Sequence, residues 1–517
     1  MARPLLPSVA VLARVHSAAL LGVSALPVDV EVDAARGMPR FDIVGLPGGA
    51  VQEAKVRVIA ALRNLGVQLP SKRIEVNLAP ADLRKEGTAF DLPIALALIA
   101  ATGALPVPPL DGLFLAGELS LSGEVRPVRG VLPIALAARR AGARALVVPE
   151  ANALEAAVVQ AVAVRPVHHL GQVVAWGEGR PAPVPRPRLL PPADAPADGS
   201  APDLRDVAGQ ETARRALEVA AAGGHNLLLL GPPGSGKTML ARRLPGILPP
   251  LEFEEALEAT AVHSVAGLLR GRGLLRDRPF RAPHHSISDA GLVGGSSLPR
   301  PGEVSLAHRG VLFLDELPEF RRHVLESLRQ PLEEGDVVLS RAGRTVHYPA
   351  DFQLVAAMNP CPCGYLGDPR RACLCGDDQL LRYRRRVSGP ILDRIDLHVD
   401  VPAVPCEELS RAGQGEGTAE VAVRVREARR RQAERGFPNA RLRGGALRRA
   451  CGLEPAAREV LARAAQRLGL SARAHDRILR VARTIADLEG AARVEARHLL
   501  EAVQYRALDR PASTEAR

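Results

Sequence analysis

Apolar and polar positions follow two different periods over residues 1–176. Runs such as RFDIVGL and RIEVNLAP have the two-residue period of half-buried strands, whereas AVQEAKVRVIAALRNLG and GVLPIALAARRAG have the pattern of helices. The apolar run Ser17–Val28 imitates a secretory leader, but Gly22 interrupts it and the alternating segment VDVEVDAARG follows. We therefore interpret this run as a strand hairpin and predict an α/β or α+β domain.

The next segment, residues 177–203, has no apolar period and is dense in Pro, Ala and Gly, which is typical of a linker. Strand-like and helix-like runs over residues 204–402 predict a second α/β domain. Residues 403–517 combine many arginines with periodic alanines and leucines, which predicts a helical region. Because 517 residues are too many for one core, we expect an α/β multidomain protein.

The charge balance and the cysteine content narrow the function classes. The chain has 68 Lys and Arg against 57 Asp and Glu, a formal net charge of +11. This excess favours a polyanionic partner, although an arginine-rich genome would produce it as well. No stretch reaches about eighteen uncharged apolar residues. The six cysteines are few for such a length. We expect a cytoplasmic protein that does not span a membrane.

A phosphate-binding loop follows a short apolar strand in the second domain. The strand Asn226–Leu230 leads directly into a Gly-x-x-x-x-Gly-Lys-Thr motif. Its glycines let backbone N–H groups surround phosphates, its lysine reaches the β and γ oxygens, and its threonine hydroxyl binds Mg²⁺. ATP and Mg²⁺ are therefore the expected cofactors. The expected nucleotide-binding residues of this loop are Gly231, Pro232, Pro233, Gly234, Ser235, Gly236, Lys237 and Thr238.

An acidic pair ends a later apolar strand, in GVLFLDELPEF. Alone, such a pair is usually a solvated turn, but downstream of a phosphate-binding loop it predicts a hydrolytic site. We expect Asp315 to bind Mg²⁺ together with Thr238, and Glu316 to act as the base that polarises the attacking water.

These motifs resemble the AAA+ P-loop ATPases, and further segments resemble their helix-2-insert, magnesium-chelatase group. The segments are VAGQETARRALEVA, AAMNP, GPILDRIDLHVDVP and GLSARAHDRILRVARTIADLEG. The resemblance implies that Gln210 borders the nucleotide and that Asn359 is the sensor-1 residue. It also implies an arginine finger at Arg394 and a sensor-2 arginine at Arg473 or, as second choice, Arg477, with residues 403–517 as the helical lid. A finger that acts on the neighbouring subunit implies a ring, expected to be a homo-hexamer.

The first domain resembles the Lon-protease domain, a ribosomal-protein-S5-like α+β fold, in the segments LRKEGTAFDLPIALA and GELSLSGEVRPVRGVLPIALAARRAG. Proteases of that fold use a serine nucleophile with a lysine base. Here Ala89 stands in the place of the serine and Leu132 in that of the lysine. Because neither side chain can attack or transfer a proton, we expect no peptidase activity from residues 1–176.

The order of Lon-like domain, linker and chelatase-type ATPase resembles the ComM family, also called YifB, nearly end to end. The segments NLAPADLRKEG, FRAPHHSISDAGLVGG, NPCPCG and LDRIDLHVDVP carry this resemblance. It implies a helicase that promotes branch migration when incoming DNA recombines in natural transformation. Single-stranded or branched DNA and recombination proteins would be its partners. Two alternatives remain: a chelatase-type motor that drives metal insertion or remodels a partner protein, and an adaptor whose ATPase switches its assembly state.

Four cysteines follow Asn359 as two Cys-x-Cys pairs, within an insertion over residues 361–375. Four thiolates at Cys361, Cys363, Cys373 and Cys375 can form a tetrahedral Zn²⁺ site, because the turn residues between them let the chain surround an ion. Free thiols and a disulfide are the alternatives. The basic run RYRRR that follows is either a contact for a phosphate backbone or a solvated surface.

Two segments resemble the hairpins that line the central pore in the chelatase group. The first is FRAPHHSISDAGLVGGSSLPRPGEVSLAHRG, whose His284, His285 and His308 we interpret as structural, because no further ligand stands at helical spacing with them. The second is GDVVLSRAGRTVHYPADFQ, where Arg341 and Arg344 at the tip are the candidates for DNA contact.

Overall fold

A computed structural model gives the architecture, and most of the predicted linker, residues 185–201, lies outside the residues that it describes. The described residues are 12–184, 202–269, 271–295, 300–341, 344–368, 371–405, 408, 413, 415–469 and 471–506.

The N-terminal domain contains a seven-stranded mixed sheet in the order β3-β4-β2-β1-β5-β8-β9. The strands β1, β2 and β4 are antiparallel neighbours, and the remaining pairs are parallel. The strands of this domain, including the short pair β6 and β7, are β1 Ala13–Leu21, β2 Ser24–Ala35, β3 Arg40–Val44, β4 Arg73–Ala79, β5 Leu113–Leu115, β6 Glu118–Leu119, β7 Val125–Arg126, β8 Ala145–Pro149 and β9 Ala163–Val167.

Helices cover both faces of this sheet. Successive strand residues point to opposite sides, so apolar side chains on each face need a covering helix. Leu113 and Leu115 join a core cluster with α3, whereas Phe114 between them joins a second cluster with α4. The helix α3 is apolar on nearly every side and is buried accordingly. The helices are α1 Gly49–Gln52, α2 Ala54–Asn64, α3 Asp91–Thr102, α4 Val131–Arg140, α5 Ala153–Ala156 and α6 Leu170–Gly177.

The central domain has a five-stranded parallel sheet in the order β11-β12-β15-β10-β16. Its strands are β10 Leu227–Leu230, β11 Phe280–Arg281, β12 Val311–Leu314, β15 Gln353–Met358 and β16 Leu397–Asp400. The leucines of β10 alternate between two core clusters, one on each face of the sheet. Such double-sided burial explains why this strand is an uninterrupted apolar run.

Short helices and one antiparallel hairpin surround this sheet. The hairpin pairs β13 Asp336–Arg341 with β14 Arg344–Pro349, in the segment predicted to form one. The helices are α7 Glu211–Gly223, α8 Lys237–Ile247, α9 Phe253–Ala266, α10 Asp289–Leu292, α11 Glu303–Leu306, α12 Arg322–Glu326, α13 Arg329–Glu334, α14 Asp377–Arg385 and α15 Gly389–Leu392.

The C-terminal region is helical and packs on the core cluster that contains α7 and α8. A buried histidine joins it to the sheet: His225 lies 3.1 Å from the carboxylate of Asp396 and 2.8 Å from the hydroxyl of Thr484. The helices are α16 Thr418–Ala433, α17 Gly444–Cys451, α18 Pro455–Leu468, α19 Ala472–Leu488 and α20 Ala496–Gln504. Among the described residues, no helix has the length and apolar character needed to cross a membrane.

The N-terminal domain packs directly on the central domain at two places. At the first, α4 packs on α9, the backbone N–H of Gly130 donates to the Ser264 carbonyl at 3.0 Å, and the Ser264 hydroxyl donates to the Glu155 carboxylate. At the second, the β1–β2 turn at Gly22 lies against β14. The two domains therefore share a packed interface around helix α9 and the β13–β14 hairpin.

Candidate nucleotide-binding site

The loop between β10 and α8 has the backbone conformation of a phosphate cradle. Gly234 and Gly236 have φ values of +76° and +92°, and a Cβ added at either would meet nothing within 4 Å. Ser235 between them is buried, and its hydroxyl has no hydrogen-bond partner in the described part of the chain. Open space beside two glycines and an orphaned buried hydroxyl both fit a bound phosphate.

Four polar side chains from three elements meet beside this loop. Thr238, in the first turn of α8, donates its hydroxyl hydrogen to the Asp315 carboxylate at 2.7 Å. The ammonium of Lys237 donates to the Gly231 carbonyl at 2.8 Å and to the Asn359 side-chain oxygen at 3.2 Å. Burial lowers the pKa of Lys237. A hydroxyl and a carboxylate in contact form an oxygen donor set that suits Mg²⁺.

Glu316 stands beside the same loop in a left-handed backbone conformation, with a φ of +53°. Its carboxylate lies 3.2 Å from Nδ1 of His285. Our interpretation of His285 as structural missed this contact. The sequence holds no signal for it, since no motif relates the two positions and only the parallel pairing of β11 with β12 brings their strand ends together.

Gln210, which the resemblance places beside the nucleotide, lies at the phosphate-binding loop. Its side-chain amide donates to the Ser235 carbonyl at 3.2 Å and to the Pro402 carbonyl at 2.6 Å. Its φ of +57° makes the turn into α7. The residue therefore links the start of α7, the phosphate-binding loop and the end of the sheet.

The three predicted arginines lie at the end of the sheet where β10 begins, opposite the end that carries the phosphate-binding loop. Asn226, just before β10, donates to the Arg394 carbonyl at 2.8 Å, whereas the phosphate-binding loop follows the other end of β10, about 13 Å away for a four-residue strand. Arg473 and Arg477 on α19 pair with Asp393 at 3.7 and 3.3 Å. Neither candidate for sensor 2 is therefore near the phosphate-binding loop of its own chain, and a role at a nucleotide would require the loop of a neighbouring subunit.

Four cysteines come together immediately after Asn359. The sulfur atoms of Cys361, Cys363, Cys373 and Cys375 all lie within 4.8 Å of one another, and no pair is bonded as a disulfide. Backbone amides donate to the sulfurs: the N–H of Leu366 donates to Cys361 at 3.3 Å, and that of Cys375 donates to Cys373 at 3.5 Å. Backbone donors lower the pKa of Cys363 to about 6, whereas burial raises the pKa of Cys361 and of Cys373. Four converging sulfurs with amide donors fit a tetrathiolate metal site.

Two basic segments were candidates for DNA contact. Arg341 and Arg344 pair across the tip of the β13–β14 hairpin, and their side chains lie outside the described part of the structure. The RYRRR run forms the end of α14, where Tyr383 is buried. On α14, Arg382, Arg384 and Arg385 are exposed.

Two groups of histidine and arginine side chains make internal contacts. Nε2 of His308 lies 3.2 Å from the Glu258 carboxylate, which agrees with its interpretation as structural. The basic run on α16 is also engaged: Arg429 donates to the Ala221 carbonyl, and Arg430 and Arg431 pair with Glu427.

Three family models match successive parts of the chain. They are described as "Subunit ChlI of Mg-chelatase" for residues 30–152, "Magnesium chelatase, subunit ChlI" for residues 203–409, and "Magnesium chelatase, subunit ChlI C-terminal" for residues 415–506. The matches thus include part of the N-terminal sheet, the phosphate-binding loop and the helical C-terminal region.

Several relatives match nearly the whole chain, among them YifB and ComM. YifB of Escherichia coli (strain K12), named an uncharacterized protein, is 48% identical over 499 residues, which cover 96% of this chain and 97% of YifB. Competence protein ComM of Haemophilus influenzae is 47% identical over 510 residues, which cover 96% of this chain and 98% of ComM. A shorter match, 29% identical over 188 residues, covers 31% of this chain and 33% of Lon protease 2 of Bacillus subtilis.

Proposed function

Because this chain belongs to the family of YifB and ComM and has the magnesium-chelatase type of AAA+ domain, we propose that it is an ATP-hydrolysing, ring-forming DNA motor. Its most specific activity would be that of a helicase that promotes branch migration when incoming DNA recombines in natural transformation. The single observation that carries the proposal is the convergence of Lys237, Thr238, Asp315 and Asn359 at one loop, in a chain 47% identical to a competence protein.

The chemistry would be phosphoryl transfer from ATP to water. The loop glycines and Lys237 hold the phosphates, and Thr238 and Asp315 would hold Mg²⁺, which neutralises phosphate charge when it is bound. Glu316 accepts the proton of the attacking water, and Asn359 orients the water near the γ-phosphate. His285 is a positioning residue that fixes the direction of the Glu316 carboxylate.

The arginines support a ring, proposed to be a homo-hexamer. Three arginines lie at the end of the sheet that faces away from the phosphate-binding loop of the same chain: Arg394, Arg473 and Arg477. In a head-to-tail ring this end would meet the loop of the next subunit, where cationic groups stabilise the charge that develops on the γ-phosphate. In this position Arg394 forms an ion pair with the Glu333 carboxylate, and a phosphate would have to displace that carboxylate.

Several features support a DNA partner, single-stranded or branched. The tip of the β13–β14 hairpin carries Arg341 and Arg344, and α14 exposes three further arginines. With a net charge of +11, these residues would attract a phosphate backbone without reading its sequence. Recombination proteins would be further partners in such a pathway.

A chelatase-type motor, or a remodeller of a partner protein, is the alternative, because the matching family models carry the name of a magnesium chelatase subunit. The 47% identity to a competence protein over 96% of this chain favours the DNA motor. The N-terminal domain itself would have no peptidase activity, because Ala89 and Leu132 lie in one apolar cluster at the positions of the serine and the lysine.

We also propose that the four cysteines hold a structural Zn²⁺. Four thiolates satisfy its tetrahedral preference, and the absence of a disulfide among these cysteines leaves every sulfur available. Free thiols remain the alternative.

The proposal is tested by measuring ATP hydrolysis with and without single-stranded DNA. We expect stimulation by DNA, and DNA affinity that falls steeply with salt because each neutralised phosphate releases counterions. Removing both hairpin arginines (Arg341→Ala with Arg344→Ala) should reduce the salt slope by about one to two units. A matched control removes two exposed arginines of α17, Arg448→Ala with Arg449→Ala, and should leave the slope unchanged. An ATPase rate that does not change when DNA is added would contradict the DNA motor and favour the adaptor or the chelatase-type motor.

A further inference from the structure

The cysteine cluster lies against the phosphate-binding loop, and not on a separate protrusion. Gly364, between the two cysteine pairs, has a φ of +85°, and a Cβ added there would lie 2.6 Å from Cδ of Pro233. Such a distance is shorter than carbon atoms tolerate, so only a glycine permits this contact. The backbone of the cluster therefore touches the loop that binds the phosphates.

The same cluster is connected to the sensor-1 strand. Cys361 is two residues beyond Asn359, and it is fully buried. Asn359 contacts Lys237, and the backbone N–H of Gly231 donates to the Met358 carbonyl at 3.2 Å. The cluster is thus joined to the nucleotide site twice, along the chain through Asn359 and across space through Gly364.

The insertion has almost no apolar core of its own. Among its described residues, the one buried apolar side chain is that of Cys361, and Leu374 is 89% exposed. A segment that buries so little apolar surface cannot offset its conformational entropy through packing. Metal–thiolate bonds supply that missing free energy in small metal sites, where binding of the metal and folding are one equilibrium.

We propose that the tetrathiolate site of Cys361, Cys363, Cys373 and Cys375 is a zinc-dependent brace that holds the phosphate-binding loop and Asn359 in their nucleotide-binding arrangement. The inference rests on the proposed nucleotide site and on the proposed zinc. It assigns to the metal a role at ATP: loss of zinc loosens the insertion, the loop at Pro233 loses its support, and affinity for nucleotide falls.

Two glycines of the insertion provide the test. Gly364 and Gly367 both have a positive φ, +85° and +78°, but a Cβ at Gly367 meets nothing within 4 Å. Both changes to alanine therefore carry a similar backbone strain, and only Gly364→Ala pushes on Pro233. Affinity is measured with a non-hydrolysable ATP analogue in excess Mg²⁺, and zinc by elemental analysis of the full chain.

We expect about one zinc per chain in the wild type. Gly364→Ala should lower the affinity for the analogue about tenfold, because the measured affinity falls tenfold when only a tenth of the molecules keep a loop that can bind. Gly367→Ala should bind like the wild type. The affinity for the analogue should fall as far in zinc-stripped protein as in Gly364→Ala. The double variant Cys373→Ser with Cys375→Ser should show the same loss. Added zinc should restore the affinity of the stripped protein but not that of the variants.

The possible failures are distinguishable. A wild type that binds no nucleotide would overturn the proposed function, and a wild type that binds nucleotide but contains no zinc would overturn the metal site. If zinc is present but Gly364→Ala and the stripped protein bind the analogue like the wild type, the brace is wrong while the metal site stands.

Discussion

Nδ1 of His285 lies 3.2 Å from the carboxylate of Glu316, so the proposed catalytic base has a polar partner from the neighbouring strand end. This contact restrains a side chain whose backbone is in the left-handed region. We expect His285→Ala to lower kcat about threefold to tenfold, the value of one hydrogen bond at a partly exposed site, with KM for ATP unchanged. Steady-state ATPase kinetics measure both constants.

The neighbouring histidine is the matched control for this prediction. The ring of His284 is tilted against that of His285, with centroids 4.1 Å apart, but its Nδ1 lies 2.8 Å from the Ser286 hydroxyl. His284→Ala should therefore leave kcat near that of the wild type, and His285→Asn should recover part of it because an amide can donate to the same carboxylate. Equal losses in both alanine variants would show that the loop as a whole, and not the contact with Glu316, supports catalysis.

The two central residues of the site should separate binding from hydrolysis. Lys237→Ala removes a cation from the phosphates and should weaken ATP binding about 10- to 100-fold. Glu316→Gln keeps the cradle but removes the base, so ATP should bind normally while kcat falls about 10²- to 10⁴-fold. Equilibrium binding and single-turnover hydrolysis give the two quantities. Normal turnover in Glu316→Gln would sink the assignment of the base.

The arginine finger can be tested by mixing inactive subunits. Arg394→Ala should bind ATP but lose about 10³-fold in hydrolysis, since the finger stabilises charge in the transition state. A ring that mixes Arg394→Ala with Lys237→Ala contains interfaces with an intact finger facing an intact loop, so activity should return in part. The ATPase rate as a function of mixing ratio measures this. Mixtures as inactive as their components would argue that Arg394 does not act across an interface.

The parts of the molecule that could be predicted from sequence are those that depend on a pattern of neighbouring residues in the chain. The phosphate-binding loop is one motif, and the uninterrupted leucines of β10 signal a strand buried on both faces. The C-terminal helices follow from their apolar period. These features depend on neighbours along the chain, so local patterns suffice to locate them.

The contacts that sequence could not supply join distant segments. His285 reaches Glu316 only because β11 and β12 are parallel neighbours, and Gly364 reaches Pro233 only because the insertion folds back over the loop. The end of the sheet at which Arg473 and Arg477 lie depends on how the lid packs, which no local period encodes. The interface between the N-terminal domain and the hairpin is of the same kind.

That interface yields the last prediction, because the β1–β2 turn rests on the hairpin proposed to contact DNA. A Cβ at Gly22 would lie 2.8 Å from Val346 and 2.9 Å from the His347 carbonyl, whereas one at Gly142 meets nothing within 4 Å, although both glycines have a positive φ. We expect Gly22→Ala to displace the turn from the hairpin and to reduce DNA stimulation of the ATPase about twofold to fivefold, as a partial population shift would. Basal ATPase should be kept, and Gly142→Ala should show full stimulation. Identical stimulation in the two variants would mean that the N-terminal domain does not support the hairpin, and the contact at Gly22 would then serve stability alone.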